Sequence, residues 1–466
     1  MMINSAVELA AAIRAKEVSP VEVADFCLDR IAELDPKFNA FCFRADDEVR
    51  SAAKAAADAV VRSAPEELPP FHGVPLPIKD LRHVQGWPTT YGSLATDRAP
   101  QPKSDPIVRR FTDAGFLPLG KTTTSEFGAV PFTESEARGI SRNPWDPDRT
   151  PGGSSSGAGI AVSAGMAPIA HAEDGGGSIR IPASCTGLVG LKPTRGLVTN
   201  AVVEVEGFAT SGVVSRTLAD TAAALDVLAK HDPGAWWSPP TPARSLAEAL
   251  DAERPLGLRI GVLTTSLIGG ISVDPACLTA VDKTLRALEE AGHQIVDKPL
   301  PLPTSEELIS TFMKVWNVAS AGIPLVDPDR VEPHNRAQRE AAKSVDSWTY
   351  AESVHQTQLL SRRIVEAFTD SFDLLVTPTM AGLPPKIGAW RASGNPVVAA
   401  YPMGVFTSLF NVTGQPAISL PLHHDEASGL PVGVQLVAAP WQEDLLLQVS
   451  RTLEQALPWA DRRPLG

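Results

Sequence analysis

The sequence RTPGGSSSGAGIAVSAGMAPIAHAEDGGGSIRIPAS, at residues 149–184, gathers serines and glycines into two clusters. The first serine of the first cluster is Ser154, and the second cluster ends at Ser178, 24 residues further on. The segment between them, GAGIAVSAGMA, consists mostly of small residues, which suits a helix packed very closely against its neighbours. Glycine-rich sequence of this kind fits a phosphate-binding loop, a flexible linker or a loop that carries a nucleophile.

The second cluster, DGGGS at 174–178, places three glycines directly before a serine hydroxyl. Unhindered backbone N–H groups beside a nucleophile are what an acyl-transfer enzyme needs, because preorganised backbone donors stabilise an oxyanion. On the residues alone, a glycine-rich turn that joins a helix to a strand is an equally good interpretation. Evidence from the rest of the chain has to decide between the two.

Two familiar motifs compete for the same residues. GFLPLGKT, at 115–122, matches the phosphate-loop pattern, but its spacer residues are Phe, Leu, Pro and Leu. Proline has no N–H to offer a phosphate, and the apolar side chains favour a core, so we predict a helix stop followed by a buried strand.

GSSSG, at 153–157, fits a nucleophile elbow centred on Ser155. An elbow follows a hydrophobic strand, whereas here the proline-rich NPWDPDRTPG precedes it. The histidines that an elbow would require have no distinctive context; they are His355, His423 and His424.

The remaining sequence predicts an α/β fold, because helical and strand-like patterns alternate along it. SPVE, at 19–22, has the residues of a capping box at a helix start, and an alanine-rich helix fits 46–62. The proline-rich segment at 231–244 fits either a linker between domains or a long surface loop. The strand-like segments are FLPLGKT (116–122), GLRIGVL (257–263), HQIVDKPL (293–300) and FDLLVTPT (372–379).

Composition and charge exclude several classes of protein. The chain has 41 basic and 54 acidic residues, a net charge of −13, and no run of basic residues, which disfavours binding to nucleic acid or to an anionic membrane. We find neither a secretory signal nor an apolar run long enough to span a bilayer. The cysteines show no paired zinc spacing; they are Cys27, Cys42, Cys185 and Cys277. A soluble cytoplasmic protein is the expectation.

The serine and glycine clusters, followed by GLVGLKPTRG, resemble the signature of the amidase signature family of serine hydrolases. The resemblance covers nearly the whole chain, because further landmarks occur in the same order. They are GVPLPIKD (73–80), GKTTTSEFG (120–128), NPWDPDRTPGG (143–153), FDLLVTPTM (372–380) and TGQPAISLPL with GLPVGVQLVA (413–438). It implies one α/β domain over 1–466, with a signature core at about 70–200 and a mixed central sheet covered on both faces by helices.

The resemblance also implies a Ser–cisSer–Lys triad. Ser178 would be the acyl nucleophile, Ser154, joined through a cis peptide bond, would relay protons, and Lys79 would be the base. The oxyanion hole would consist of backbone N–H groups, those of Gly175, Gly176, Gly177 and Ser178. Asp174 and Arg180 flank this loop, and we expect them to brace it rather than react.

A lysine that acts as a base has to be neutral, although its ordinary pKa is about 10.4. Desolvation at the end of the apolar strand VPLPIK would lower that pKa. The residues alone fit a lysine whose ammonium group reaches water; the resemblance favours the buried base. Neither a metal nor a cofactor is expected.

The resemblance implies an amidase that hydrolyses the C–N bond of a small, linear carboxylic amide other than a peptide. A homodimer is the assembly considered. HAEDGGGSIRIPAS resembles the branch that contains 6-aminohexanoate cyclic-dimer hydrolase, which makes a linear or cyclic amide of that type an alternative substrate. A glutaminase-like subunit of the tRNA-dependent amidotransferase is a further alternative, although TTSEF departs from its landmark. A catalytically silent scaffold is disfavoured because all three triad positions are present.

Two departures from the family pattern, Thr123 and Ser156, bear on the subfamily rather than the mechanism. The sequence leaves the substrate pocket open. Four residues fit either a pocket wall or ordinary core packing: Tyr91, Phe132, Trp316 and Met380.

Overall fold

The computed structural model describes residues 4–239, 242, 244–392 and 394–464. The helices are α1 Ala6–Arg14, α2 Pro20–Phe38, α3 Asp46–Arg62, α4 Pro106–Asp113, α5 Ser156–Ser163, α6 Arg180–Thr186, α7 Leu218–Leu228, α8 Leu246–Leu250, α9 Pro275–Glu290, α10 Ser305–Ala321, α11 Pro333–Ala342, α12 Ser347–Ser371, α13 Ala389–Ala392, α14 Pro396–Ala399, α15 Tyr401–Gly404, α16 Ser408–Val412 and α17 Glu443–Ala456. The strands are β1 Phe41–Phe43, β2 Pro75–Lys79, β3 Leu117–Thr122, β4 Glu134–Ser135, β5 Gly139–Ile140, β6 Ile169–Asp174, β7 Val189–Lys192, β8 Thr210–Ser215, β9 Arg259–Val262, β10 Gln294–Val296, β11 Leu374–Pro378, β12 Ala417–Asp425 and β13 Leu430–Ala438.

The largest sheet is mixed, with eight strands in the order β10–β9–β11–β13–β12–β7–β8–β6. Strands β10, β9 and β11 are parallel, and every neighbouring pair from β11 to β6 is antiparallel. Strands from both sides of the segment 231–244 pair in this one sheet, so that segment does not divide the sheet into two. Residues 240, 241 and 243 of the segment lie outside the described residues.

Helices cover both faces of this sheet, and the alternation of side chains along β8 shows how. Val213 belongs to the large apolar core that contains residues of α7, α9 and α17. Val214, the next residue, belongs to a second cluster with residues of α5 and α6. Because consecutive side chains of a strand point to opposite faces, the two clusters lie on opposite sides of the sheet. The prediction of a mixed sheet between helical layers is confirmed.

A smaller sheet of order β1–β3–β2 extends the large one, because β2 lies beside β6. A side chain joins the two strands: the backbone N–H of Lys79 donates to Nδ1 of His171 at 3.3 Å. This contact brings the carboxyl end of β2 next to the carboxyl end of β6. The Ser178 loop leaves β6 at that same end.

Several local predictions are confirmed. A capping box at Ser19 and Glu22 starts α2, and the predicted alanine-rich helix is α3, with the same bounds. The four strand-like segments contain β3, β9, β10 and β11. The boundaries of a signature core at about 70–200 remain a prediction.

Helix α5 packs as closely as its small residues suggest. A Cβ atom at Gly157 would clash with the carbonyl oxygen of Ala40 and lie 2.5 Å from the backbone nitrogen of Thr123. At Gly159 the nearest atom to such a Cβ would be a side-chain oxygen, that of Thr186, at 3.2 Å. Only the first glycine therefore faces backbone that has no room to move.

We predict that Gly157→Ala lowers the free energy of unfolding by about 3 kcal/mol or more, because an extra carbon against rigid backbone forces the structure apart. Gly159→Ala is the matched control, since both changes gain the same helix propensity, about 1 kcal/mol. Its stability should change by no more than about 1 kcal/mol. Urea unfolding of the two variants measures the difference, and equal losses would contradict this account of α5.

Candidate active site

Lys79 is the last residue of β2, and its side chain lies inside the protein, only 1% exposed. Its ammonium nitrogen Nζ donates to Oγ of Ser154 at 2.8 Å and to the backbone carbonyl of Glu173 at 3.4 Å. Among the described residues, Lys79 forms no salt bridge. Its hydrogen-bond partners are therefore neutral oxygens, and neither of them neutralises the charge of the ammonium form.

Burial lowers the pKa of Lys79 to about 8, because the desolvated ammonium is penalised, although the nearby carboxylates of Glu173 and Asp174 act in the opposite direction. The Glu173 side chain is itself held by an ion pair with Arg82 and by the Ser211 hydroxyl, at 3.1 Å. A substantial fraction of the lysine is therefore neutral slightly above neutral pH.

Ser154 precedes α5 and is 2% exposed. The peptide bond between Gly153 and Ser154 is cis, as the resemblance implies. The neighbouring Ser155 is fully buried, and its hydroxyl is hydrogen-bonded to the backbone of Glu173 on β6. Ser155 therefore serves as a link between α5 and β6, which does not fit the exposed serine of a nucleophile elbow.

The loop after β6 is organised by Asp174. Its carboxylate accepts hydrogen bonds from the backbone N–H groups of Gly177, at 2.7 Å, and Ile179, at 3.1 Å. It also forms a bidentate pair with the guanidinium of Arg180, with both contacts at 2.9 Å and both side chains fully buried. Burial by itself would raise the pKa of Asp174, but Arg180 and Asn411 hold the pKa well below its usual range.

Arg180 in turn connects this loop to the sheet and to helix α16. Its guanidinium donates to Oε1 of Gln435 on β13 at 2.7 Å, to Oδ1 of Asn411 on α16 at 2.6 Å and to the backbone carbonyl of Thr407 at 3.0 Å. The pair thus connects the loop to β13 and α16, and its role as a brace of the loop remains a prediction.

The four backbone N–H groups expected to form an oxyanion hole are not equivalent. That of Gly177 is already bonded to Asp174, so it is the least suited to meet an oxyanion. Those of Gly175, Gly176 and Ser178 have no hydrogen-bond partner within the described residues. The Ser178 hydroxyl likewise has none there, and Ser178 lines a cavity of about 130 Å³ that opens to solvent.

Ser154 lies next to Gly128, which is part of the cavity wall. A Cβ atom at Gly128 would lie 3.3 Å from Oγ of Ser154. The structure therefore places Ser154, with the buried Lys79 bonded to it, beside a wall residue of the cavity that Ser178 also lines.

Of the four residues left open as pocket candidates, Trp316 lines this cavity. Phe132 instead stacks on Trp390, Met380 contacts the sulfur of Cys185 at 3.6 Å, and the Tyr91 hydroxyl is bonded to His83. Most of the cavity wall was not predicted from the sequence, although the apolar residues at helical spacing in α10 indicate that one face of this helix is covered. The missed residues include Ile309, Phe312, Met313, Val397 and Tyr401.

The competing motifs have structural explanations. Lys121 of GFLPLGKT is buried and paired with Asp80 at 2.8 Å, which agrees with a buried strand. His355 is exposed on α12, His423 contacts Lys283 at 3.2 Å, and His424 packs near the ring of Trp145.

The two departures from the family pattern are also structural. The Thr123 hydroxyl donates to the backbone carbonyl of Asn39 at 3.1 Å, and that of Ser156 donates to the carbonyl of Gly152 at 2.6 Å. In the part of the chain that the structure describes, no group of three or more His, Cys, Asp or Glu side chains is arranged to hold a metal. Within the same residues, no helix is both long and apolar enough to cross a membrane.

Comparison with known proteins agrees with this fold. The amidase family model matches residues 22–447. The 6-aminohexanoate-cyclic-dimer hydrolase of Paenarthrobacter ureafaciens is 36% identical over 97% of this chain and 94% of its own. Among solved structures, a 6-aminohexanoate cyclic dimer hydrolase complexed with substrate superposes with a TM-score of 0.89 at 35% identity, over 99% of this chain and 98% of that one. A bacterial aryl acylamidase of the amidase signature family has a TM-score of 0.88 at 26% identity, over 98% of this chain and 97% of that one.

The amidase family model and relatives matched along almost the whole chain define the class. The chain belongs to the amidase signature family, and it is an enzyme that hydrolyses carbon–nitrogen bonds of small amides.

We predict that Asp174→Asn lowers the free energy of unfolding by about 3–5 kcal/mol, because it leaves the buried Arg180 without its counter-charge. The matched control is Asp373→Asn, which removes the partner of the partly exposed Arg259 and should cost about 1 kcal/mol or less. Chemical denaturation monitored by circular dichroism measures both variants. Similar losses in the two would show that the Asp174–Arg180 pair does not brace the loop.

Proposed function

We propose that the enzyme hydrolyses amides through an acyl-serine intermediate on Ser178, with Ser154 as proton relay and Lys79 as base. The observation that carries this proposal is the 2.8 Å hydrogen bond between Nζ of the buried Lys79 and Oγ of Ser154, next to the cavity that Ser178 lines. A lysine with a lowered pKa, bonded to a hydroxyl rather than a carboxylate, is suited to receive a proton.

In the first half-reaction, Oγ of Ser178 attacks the amide carbonyl carbon. Its proton passes to Oγ of Ser154, and the Ser154 proton passes to the neutral Nζ of Lys79. The carbonyl oxygen becomes an oxyanion, which the backbone N–H groups of Gly175, Gly176 and Ser178 stabilise. The C–N bond then breaks as the proton returns through Ser154 to the leaving nitrogen, and the amine departs.

In the second half-reaction, water attacks the ester carbon of the acyl-serine. The same relay takes the proton from water and returns one to Oγ of Ser178, which releases the carboxylic acid. The site therefore ends in its starting protonation state. Asp174 and Arg180 hold the loop in place and take no part in proton transfer.

An alternative substrate is the 6-aminohexanoate cyclic dimer, for which the relative from Paenarthrobacter ureafaciens is named. The 36% sequence identity to that relative, over 97% of this chain, supports this alternative. Release of a free amine from the cyclic dimer by the purified enzyme tests this alternative. No release while a simple anilide is hydrolysed would rule it out.

We also propose a cytoplasmic enzyme, since all four cysteines are free thiols and the net charge is −13. Recovery of the protein from the periplasmic or secreted fraction of its host would contradict that location. The homodimer remains a prediction, and light scattering on the purified protein measures it.

We predict that replacing Ser178 with alanine and replacing Ser154 with alanine impair the enzyme in different ways. Ser178→Ala should abolish hydrolysis and should take up no serine-reactive fluorophosphonate, because the nucleophile is absent. Ser154→Ala should still be labelled on Ser178, but about 10²–10⁴ times more slowly, because it lacks the proton relay. Peptide mass spectrometry locates the label, with Ser155→Ala as the neighbouring control that keeps labelling on Ser178. A label on Ser154 or Ser155 in the unaltered enzyme would overturn the assignment.

We predict that kcat/KM rises with pH and levels off above about 8, because Lys79 accepts a proton only in its neutral form. Glu173→Gln should move this rise to lower pH, since its carboxylate favours the charged lysine. The control Glu366→Gln, on the exposed face of α12, should leave the profile unchanged. A rate that is flat from pH 6 to 9, with chemistry shown to be rate-limiting, would count against a lysine base.

A further inference from the structure

The cavity beside Ser178 has walls from α10 and from the segment that carries α14 and α15. Its lining is apolar apart from a few neutral polar groups. From α10 come Leu308, Ile309, Phe312, Met313 and Trp316, and from the later segment come Val397, Ala400, Tyr401 and Gly404.

An aromatic stack fixes the wall nearest the oxyanion loop. The rings of Phe208 and Phe312 are 5.6 Å apart and almost parallel, and those of Phe312 and Trp316 are 5.3 Å apart at 18°. The indole of Trp316 lies against the loop itself, because a Cβ atom at Gly175 would be 2.9 Å from it. A flat apolar surface therefore borders the place where a substrate carbonyl would be held.

The lining contains no Asp, Glu, Lys, Arg or His in the part of the chain that the structure describes. A charged group that entered this cavity would lose its hydration and find no counter-charge, which is costly. An alkyl or aryl group would instead bury apolar surface against the α10 side chains. The cavity thus selects against charge and in favour of apolar area.

We propose that this cavity binds the acyl part of the substrate, and that the enzyme prefers amides of uncharged alkyl or aryl carboxylic acids, with Trp316 and Phe312 as the specificity-determining residues. This inference rests on the proposed function, because it takes Ser178 as the acyl carrier. After the amine departs, the acyl group remains tethered to Ser178, and the cavity whose wall includes Ser178 is where a tethered group has to lie.

The first test uses p-nitroanilides, which share one leaving group and differ only in the acyl group. From acetyl to butyryl to hexanoyl, kcat/KM should rise about fourfold for each added methylene, the value expected for full burial of a CH₂ group. The succinyl and 4-aminobutyryl compounds, which carry one charge at a length close to butyryl, should react at least about 100-fold more slowly than butyryl. No dependence on acyl length, or equal rates for charged and neutral acyl groups, would overturn the proposal.

The second test changes the wall. Trp316→Ala should reduce the hexanoyl-to-acetyl ratio of kcat/KM at least about tenfold, and Trp316→Phe should restore most of it. Trp348→Ala, which removes an exposed tryptophan on α12, should leave the ratio unchanged. Ile309→Lys places a cation in the cavity and should shift the preference toward succinyl by about tenfold or more. An unchanged ratio in Trp316→Ala together with no shift in Ile309→Lys would show that the acyl group binds elsewhere.

Fluorophosphonate labelling of Ser178 distinguishes a failure of the acyl-binding proposal from a failure of the proposed function. If each variant is labelled on Ser178 but the acyl preference is absent, only the present inference fails. If the unaltered enzyme is not labelled on Ser178, the proposed function itself fails.

Discussion

The site is built around a lysine ammonium group that the fold buries without giving it an anionic partner. Lys79 ends β2, where β2 lies beside β6, and among the described residues its Nζ atom is hydrogen-bonded to the Ser154 hydroxyl and the Glu173 carbonyl. Desolvation makes the charged form costly, and the pKa falls to about 8. The carboxylate of Glu173, which would otherwise compensate, is paired with Arg82 instead. In the proposed mechanism, this division between the lysine and a separately neutralised carboxylate allows proton transfer from a hydroxyl near neutral pH.

The surrounding structure fixes the positions of the two serines relative to that lysine. Helix α5 approaches β3 and the start of β1 so closely that Gly157 has no room for a side chain, which fixes Ser154 at its N-terminal end. Asp174 fixes the other serine by bonding the backbone of its loop and the guanidinium of Arg180. Because the Asp174–Arg180 pair is buried and hydrogen-bonded to the backbone of the loop and to neighbouring elements, it ties the loop to the sheet at the edge of the cavity that Ser178 lines.

Local patterns in the sequence predicted much of this fold. The capping box at Ser19, the bounds of α3 and the strand after Gly115 all follow from spacing and from the positions of glycine and proline. The close packing of α5 was predicted from its small residues. The site residues were assigned by family resemblance, since the serines and glycines alone fitted a simple turn equally well. The cavity wall was not predicted, because the apolar spacing of α10 is the same whether a helix faces a core or a ligand. Nor could the sequence show that Asp174 takes the N–H of Gly177, a contact between a side chain and the backbone three residues later.

The charge state of Lys79 is the central claim, and NMR can measure it directly. Titration of the enzyme labelled with ¹⁵N and ¹³C at its lysine side chains, with Lys79→Met used to assign the signal, gives the pKa of Nζ without reference to any substrate. We expect a pKa of about 8 for Nζ of Lys79. A pKa at or above the ordinary value of about 10.4 would show that the ammonium form persists in the folded enzyme, and would contradict a lysine base.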